Sequence, residues 1–527
     1  MQVPIYQKPL TYGCVALALL VCLSLWYYAT GGHVAYTMDS LTYRDAAFHF
    51  LNGHPWMATN VATENPAQVP ITVWPPAFSV LWAVISLVTH LQLDAIPQIM
   101  VPVLLGLTVV SVFTIAIILT KNPLASGAIA IASMFTPAVM AVYGHAWSET
   151  LSIPLSLLTF TAFLKYQSEP KQRLKITWLV MASLLVALAN WTRYSAVVLI
   201  PLLALSIGLV PGLKASTRLL HALGASLMIL LLVSPLWLRN YALTGSISGS
   251  NRGGAPKHAM ERFTGDIQSI LDLFENSLFD FDVLLQANLG PLLVLALGYL
   301  VAKYWKRNGL KINIDQAWCL PLLWAGGHVA FLLFARSIQK ELDMDYRMLS
   351  VAMPFCMLSL ALPINHALSK APFGLVKMLT VLVIALVLYT GLGEAYRVHQ
   401  NYASSKAPAW RGSFATIYRD LSFSSGSTRA IHATIGDIPA NTVVLADYRA
   451  LYIRYITGAK AFQMNSLEEC ARWVQSHPSG ILLTGFTEDG FFTSGKEKWA
   501  TECSQLNHNW RLVLIKGKGA HSMYADD

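Results

Sequence analysis

Two carboxylates and a set of arginines stand at the ends of apolar runs, where an ionised side chain is expensive and calls for a reason. The first acid, Asp39, opens the stretch Met38-Asp39-Ser40-Leu41-Thr42-Tyr43-Arg44-Asp45-Ala46-Ala47-Phe48-His49-Phe50. Leu41, Asp45 and Phe48 recur at helical spacing, which predicts an amphipathic helix at a membrane surface with Asp39 near its start. A carboxylate there can take a proton from an attacking hydroxyl. The plainer reading by composition is that it caps the helix and does nothing more. The second acid, Glu149, lies in His145-Ala146-Trp147-Ser148-Glu149-Thr150 at the lip of an apolar run. Its two readings are a working carboxylate at membrane depth and a helix-opening Glu favoured by the dipole.

Cations accompany these acids. Asn190-Trp191-Thr192-Arg193-Tyr194 and Trp237-Leu238-Arg239-Asn240-Tyr241 each set an Arg beside aromatic residues, and Arg336, Lys340 and Asp343-Met344-Asp345-Tyr346-Arg347 form a third group. Converging Arg and Lys suit a phosphate or pyrophosphate leaving group, because fixed positive charge offsets the negative charge that develops on it. Taken singly, an Arg next to Trp or Tyr also anchors a helix end at lipid headgroups. The histidines do not make a zinc site: His49 and His54 are off one helical face and His145 has no near partner, whereas zinc takes three or four ligands.

The elements that must position these groups are set by composition. Of 527 residues, 55% are hydrophobic and 12% charged, about half the charge of a soluble domain. Apolar runs occur near 10–29, 76–90, 97–119, 124–142, 149–164, 176–191, 195–210, 219–238, 286–302, 317–335, 347–366 and 374–393. The expected fold is an all-α polytopic membrane domain over 1–399, with about eleven to twelve transmembrane helices. With the N-terminus inside, the run 76–90, short and introduced by Trp74-Pro75-Pro76, is the one expected not to cross; the alternative is an external N-terminus with this run crossing too, and only Lys8 and Arg44 distinguish the two. Beyond residue 400 the apolar runs shorten to strand length, at 442–446, 481–483 and 510–515, and Ser466 with Glu469 resembles a capping box. A small C-terminal α/β soluble domain is therefore expected over 400–527. Its Cys470 and Cys503 can pair in an oxidising compartment or remain thiols.

Basic residues give the sidedness. Lys165, Lys171, Arg173 and Lys175 crowd one short link; Lys214 and Arg218, then Lys303, Lys306, Arg307 and Lys311, then Lys370 and Lys377 fill three more. The positive-inside rule makes these links cytoplasmic. The first loop (31–75), the loop 239–285, both acids, the arginine groups and the C-terminal domain then lie outside, with the N-terminus inside. The net charge of +9 is thus a topology signal, and nucleic acid is not an expected partner.

The order of motifs resembles the C-type (GT-C) glycosyltransferase superfamily, in the bacterial branch related to protein O-mannosyltransferases and lipid A aminoarabinose transferases. The resemblance covers about residues 10–395. It rests on Asp39, Tyr43, Ala47 and Gly53, on Trp74-Pro75-Pro76, Ser148-Glu149 and Thr192-Arg193-Tyr194, then on Pro235 to Tyr241 with Thr244-Gly245, and on Asp345-Tyr346-Arg347 with Pro354. The family pattern has Arg-Tyr where this chain has Tyr346-Arg347. The resemblance implies a hexosyl or pentosyl transferase of the bacterial plasma membrane. It would move a sugar, with inversion, from a polyprenyl-phosphate donor to an extracytoplasmic lipid, glycan or protein. By position, Asp39 would be the general base, and Glu149 would orient the acceptor or bind a metal. Arg193, Arg239 and Arg347 would hold the phosphate. Tyr43, Arg44, Asp45, Trp74, His145, Tyr194, Asn240, Arg336, Lys340 and Asp345 complete the expected substrate site. The resemblance leaves the cofactor open, since some members of such a family need a divalent cation and others do not; Asp39 and Glu149 could supply two oxygen ligands for Mg or Mn. The competing class is a polytopic transporter or lipid-linked sugar flippase, which tends to show inverted repeats and helices broken at the midplane.

Overall fold

The computed structural model describes residues 8–59, 68–249, 319–338, 346–361, 442–446, 460–463, 467–487 and 502–517, with 392, 395, 396 and 399. The chain divides into two compact units. One comprises Met1–Gly32, Thr72–Phe78 and Gln98–His399, the other His33–Ile71, Ser79–Pro97 and Gln400–Asp527.

The first unit is helical. Its described elements are α1 (Lys8–Thr30), then, after α2 (Met38–Leu51) and α3 (Ala77–Thr89), the helices α4 (Ile96–Thr120), α5 (Pro123–Met134), α6 (Pro137–Tyr143), α7 (Glu149–Ser168), α8 (Gln172–Thr192), α9 (Leu199–Gly208) and α10 (Ala215–Thr244). They are followed by α11 (Cys319–Ile338), α12 (Tyr346–Leu349) and α13 (Met353–Ser359). Among the described residues four helices are long and apolar enough to cross a membrane, or five if α5 and α6 count as one bent span. That pair bends by 70° at Thr136-Pro137. The cause is local: a residue before proline is driven from the helical region, and Thr136 sits at φ −69°, ψ 134°. At thirteen residues α3 is about 20 Å long, short of the roughly 30 Å hydrocarbon layer.

Packing follows the apolar faces. α1 lies on α5, α7 on α8, α10 on α8 and α9, and α13 on α5 and α11. The buried Phe160 of α7 meets Trp324 of α11 and Phe355 of α13 at centroid distances of 5.0 and 5.5 Å. Trp324 also donates its indole N–H to Ser206 Oγ (2.9 Å), which satisfies the one polar atom that its burial would otherwise strand.

In the second unit α2 carries a hairpin of β1 (Met57–Thr59) and β2 (Gln68–Pro70), paired antiparallel. Asp45 fastens the hairpin to the helix, accepting from Thr59 N (2.5 Å) and from Thr59 Oγ1 (2.9 Å). The tail of the chain holds β3 (Val443–Ala446), β4 (Lys460–Gln463), α14 (Leu467–Ser476), β5 (Gly480–Thr487) and β6 (Trp510–Gly517). The strands form a parallel sheet in the order β4-β3-β5-β6. Leu445, Phe462, Trp473, Val474, Leu482 and Trp510 form its core, and Cys470 and Cys503 join in a disulfide with Cα atoms 6.2 Å apart. A Cβ on Gly480 would stand 2.6 Å from the Trp510 ring, so glycine leaves the space that this ring occupies.

Candidate active site

The charged cluster of the first unit begins with the segment between α6 and α7. Its approach is pinned by Tyr143, whose carbonyl accepts from Trp26 Nε1 (2.7 Å) and whose hydroxyl meets Thr108 Oγ1 (2.5 Å). Gly144 to Ser148 then turn the chain so that Glu149 opens α7 with only 1% of its surface exposed. A carboxylate this deep requires a counter-charge. Arg193 supplies it. α8 ends at this residue, which takes an extended conformation (φ −149°, ψ 135°) before a short 3₁₀ turn from Tyr194 to Val198. Its Nη1 lies 2.5 Å from Glu149 Oε1 and donates to Ser148 Oγ at 3.0 Å.

Arg347 comes to the same place from α12, which packs on α6. Its Nε is 3.8 Å from Glu149 Oε1, beyond hydrogen-bond reach, and its guanidinium lies over the Trp147 ring at 5.1 Å. His145 stacks on that ring at 4.1 Å and donates Nδ1–H to Ala141 O (2.8 Å). Burial pushes the His145 pKa down to about 4, so the imidazole is neutral at physiological pH. Glu149 Oε1 makes no hydrogen bond, because the N–H vectors of Arg193 miss it despite the short separation. The attraction is therefore chiefly coulombic.

Beside this cluster is a neutral knot. Tyr194 donates its hydroxyl to Thr72 O (2.7 Å) and accepts from Asn240 Nδ2 (2.7 Å), which also reaches Ile247 O (3.3 Å). Gly249, at φ +75°, closes it: a Cβ there would stand 1.9 Å from Thr72 O. Tyr194 and Asn240 thereby hold the segment before Trp74-Pro75-Pro76 against the end of α10. Arg239, next to Asn240, donates Nη1–H to Asn240 Oδ1 (3.3 Å). Trp74 is half-buried ahead of α3. Arg336 falls in α11, and Lys340 and Asp345 lie outside the described residues.

In the second unit Asp39 occupies the first turn of α2, but it does not cap the helix. Thr37 does: its Oγ1 accepts from Ser40 N (3.5 Å), while Ser40 Oγ accepts from Thr37 N (3.1 Å). Asp39 is therefore not the capping residue of α2. Tyr43 is buried, and Asp45 is occupied by Thr59. Arg44 forms a forked pair with Asp94, through Nε to Oδ1 and through Nη2 to Oδ2 at 2.8 Å. Asp94 had no signal in the sequence, since its partner is 50 residues away. Replacing Asp94 by Ala removes the forked pair from a guanidinium that is 15% exposed, and is expected to cost roughly 3 kcal/mol. Thermal unfolding of the purified protein checks this, and an unchanged midpoint would mean that the pair contributes nothing.

Among the described residues no three His, Cys, Asp or Glu side chains converge to hold a metal ion. Glu149 does not fit the role of ligand as it stands, because a divalent cation on its carboxylate would also face the guanidiniums of Arg193 and Arg347.

Comparison with solved structures shows that the chain shares the fold of GT-C glycosyltransferases. The oligosaccharyltransferase AglB of Archaeoglobus fulgidus, in complex with an inhibitory peptide and a dolichol-phosphate, matches 97% of this chain and 70% of its own at a TM-score of 0.51 and 12% identity. ArnT from Cupriavidus metallidurans, bound to undecaprenyl phosphate, matches 95% of this chain and 90% of its own, also at 0.51 and 12%. A complex of the Archaeoglobus enzyme with Zn and sulfate matches 94% and 67% at 0.50 and 13%. No protein-family model and no curated protein matches the sequence.

Proposed function

We propose that this protein is a membrane glycosyltransferase that moves a sugar from a polyprenyl-phosphate donor to an acceptor hydroxyl on the extracytoplasmic side. The observation that carries the reading is the convergence of Arg193 and Arg347 on one buried position, on a fold whose solved relatives hold dolichol-phosphate and undecaprenyl phosphate. In the proposed step the acceptor oxygen attacks the anomeric carbon as the bond from that carbon to the phosphate oxygen breaks. Asp39 accepts the hydroxyl proton. Arg193 and Arg347 take up the charge that appears on the departing polyprenyl phosphate. Arg239 is a third cation for the phosphate. No step is routed through a metal.

The direct test is incubation of the purified protein with polyprenyl-phosphate sugars and a glycan, lipid or peptide acceptor. Release of free polyprenyl phosphate, dependent on acceptor, is the expected result. Vesicle-to-vesicle movement of the intact donor without its cleavage would instead establish a flippase. The disulfide between Cys470 and Cys503 favours an oxidising location for the tail. A reporter fused after Asp527 is accordingly expected to be active only outside the cytoplasm, and a cytoplasmic signal would reverse the orientation.

A further inference from the structure

Glu149 holds two arginines through an oxygen that makes no hydrogen bond. We infer that this carboxylate is an anion stand-in, holding Arg193 and Arg347 at their stations until the phosphate of the donor replaces it. The inference rests on the polyprenyl-phosphate reading given above and adds a role for Glu149 that is neither metal ligand nor acceptor contact.

Three observations support exchange over a permanent structural pair. A structural Arg–carboxylate pair ordinarily closes two parallel hydrogen bonds. Here Arg193 Nη1 faces Oε1 off the N–H axis and closes no hydrogen bond to it, and the side-chain hydrogen bond of Arg193 among the described residues goes to Ser148 Oγ. The fork is largely unspent. Access is also graded: the Arg193 and Arg347 side chains are 11% and 20% exposed against 2% for the carboxylate, so an incoming anion meets the cations first. Finally, each arginine has a neutral support that survives exchange, Ser148 Oγ for Arg193 and the Trp147 ring for Arg347.

The test is the affinity of the full-length protein in nanodiscs for undecaprenyl phosphate, in wild type, Glu149→Gln and Glu149→Asp. The Gln variant removes the competing charge, and the Asp variant withdraws it by one methylene while preserving a buried anion for folding. Both are expected to bind about tenfold more tightly than wild type, the factor that corresponds to about 1.4 kcal/mol of lost competition. Undecaprenol, which has no charge, is expected to bind all three alike. Equal or weaker binding of the phosphate by both variants would overturn the inference, as would the same tightening toward undecaprenol. An affinity gained on adding Mn²⁺ to wild type but not to Glu149→Gln would also overturn it, in favour of a metal ligand. Should Glu149→Gln fail to fold, Glu149→Asp alone decides. If wild type itself ignores undecaprenyl phosphate, the donor reading falls and the inference with it, whereas binding by wild type with unchanged variants sinks the inference alone.

Discussion

Asp39→Asn is expected to lower sugar transfer by roughly 10²–10⁴-fold, the range over which a positioned general base acts. The substitution keeps the shape of the side chain and removes its capacity to accept a proton. Helix α2 should survive it, because Thr37 and Ser40 already supply the reciprocal cap and Asp45 separately ties the helix to its hairpin. Expression and thermal unfolding are therefore expected to stay near wild type while release of polyprenyl phosphate nearly stops. The contrast between stability and turnover is the informative reading. Normal turnover by the Asp39→Asn variant removes this residue from the chemistry. Early unfolding of the same variant makes Asp39 a structural acid whose partner maintains the first turn.

The second large effect is expected at Arg193. Arg193→Ala leaves a carboxylate that is 1% exposed with its remaining cation, Arg347, at 3.8 Å. Breaking a buried pair from one side costs about 3–5 kcal/mol, and here that should appear as a clear fall in unfolding temperature. Arg193→Lys separates this from function. Lysine restores the charge next to Glu149 but presents a single ammonium in place of the planar fork. It is expected to fold, yet to raise the KM for the lipid donor by roughly ten- to a hundredfold, since one charge-assisted hydrogen bond is worth about 1.5–3 kcal/mol. The KM for the acceptor should hardly move. A Lys variant with an unaltered donor KM would reduce Arg193 to a structural counter-ion. One whose donor and acceptor constants rise together would point to a general loosening where α8 ends.

The Tyr194–Asn240 knot shows why such variants need a stability control. The motif order puts both residues at the substrate site, and the hydrogen bonds they make run to Thr72 O, to Ile247 O and to each other. Loss of activity on changing either would follow from a shifted loop as readily as from a lost ligand contact. Arg44 and Asp45 stand in the same position, through Asp94 and Thr59.

The residue pattern by itself determined the membrane character, the strand-length runs of the tail and the polar clusters at the ends of apolar segments. Hydrophobicity and period are local properties, written in consecutive residues. Thus the strand expected at 442–446 is found at Val443–Ala446, and a helix opening near Ser466 is found at Leu467–Ser476. The strand Lys460–Gln463 escaped, being four residues with no alternation to mark it. Only the tertiary structure decided which partner each charge takes. Glu149 meets Arg193 and Arg347 across separations of 44 and 198 residues, and Arg44 meets Asp94. The Glu149 pairings depend on how α7, α8 and α12 approach one another, and a charge flanked by similar apolar sequence on either side carries no mark of the partner that packing will bring to it.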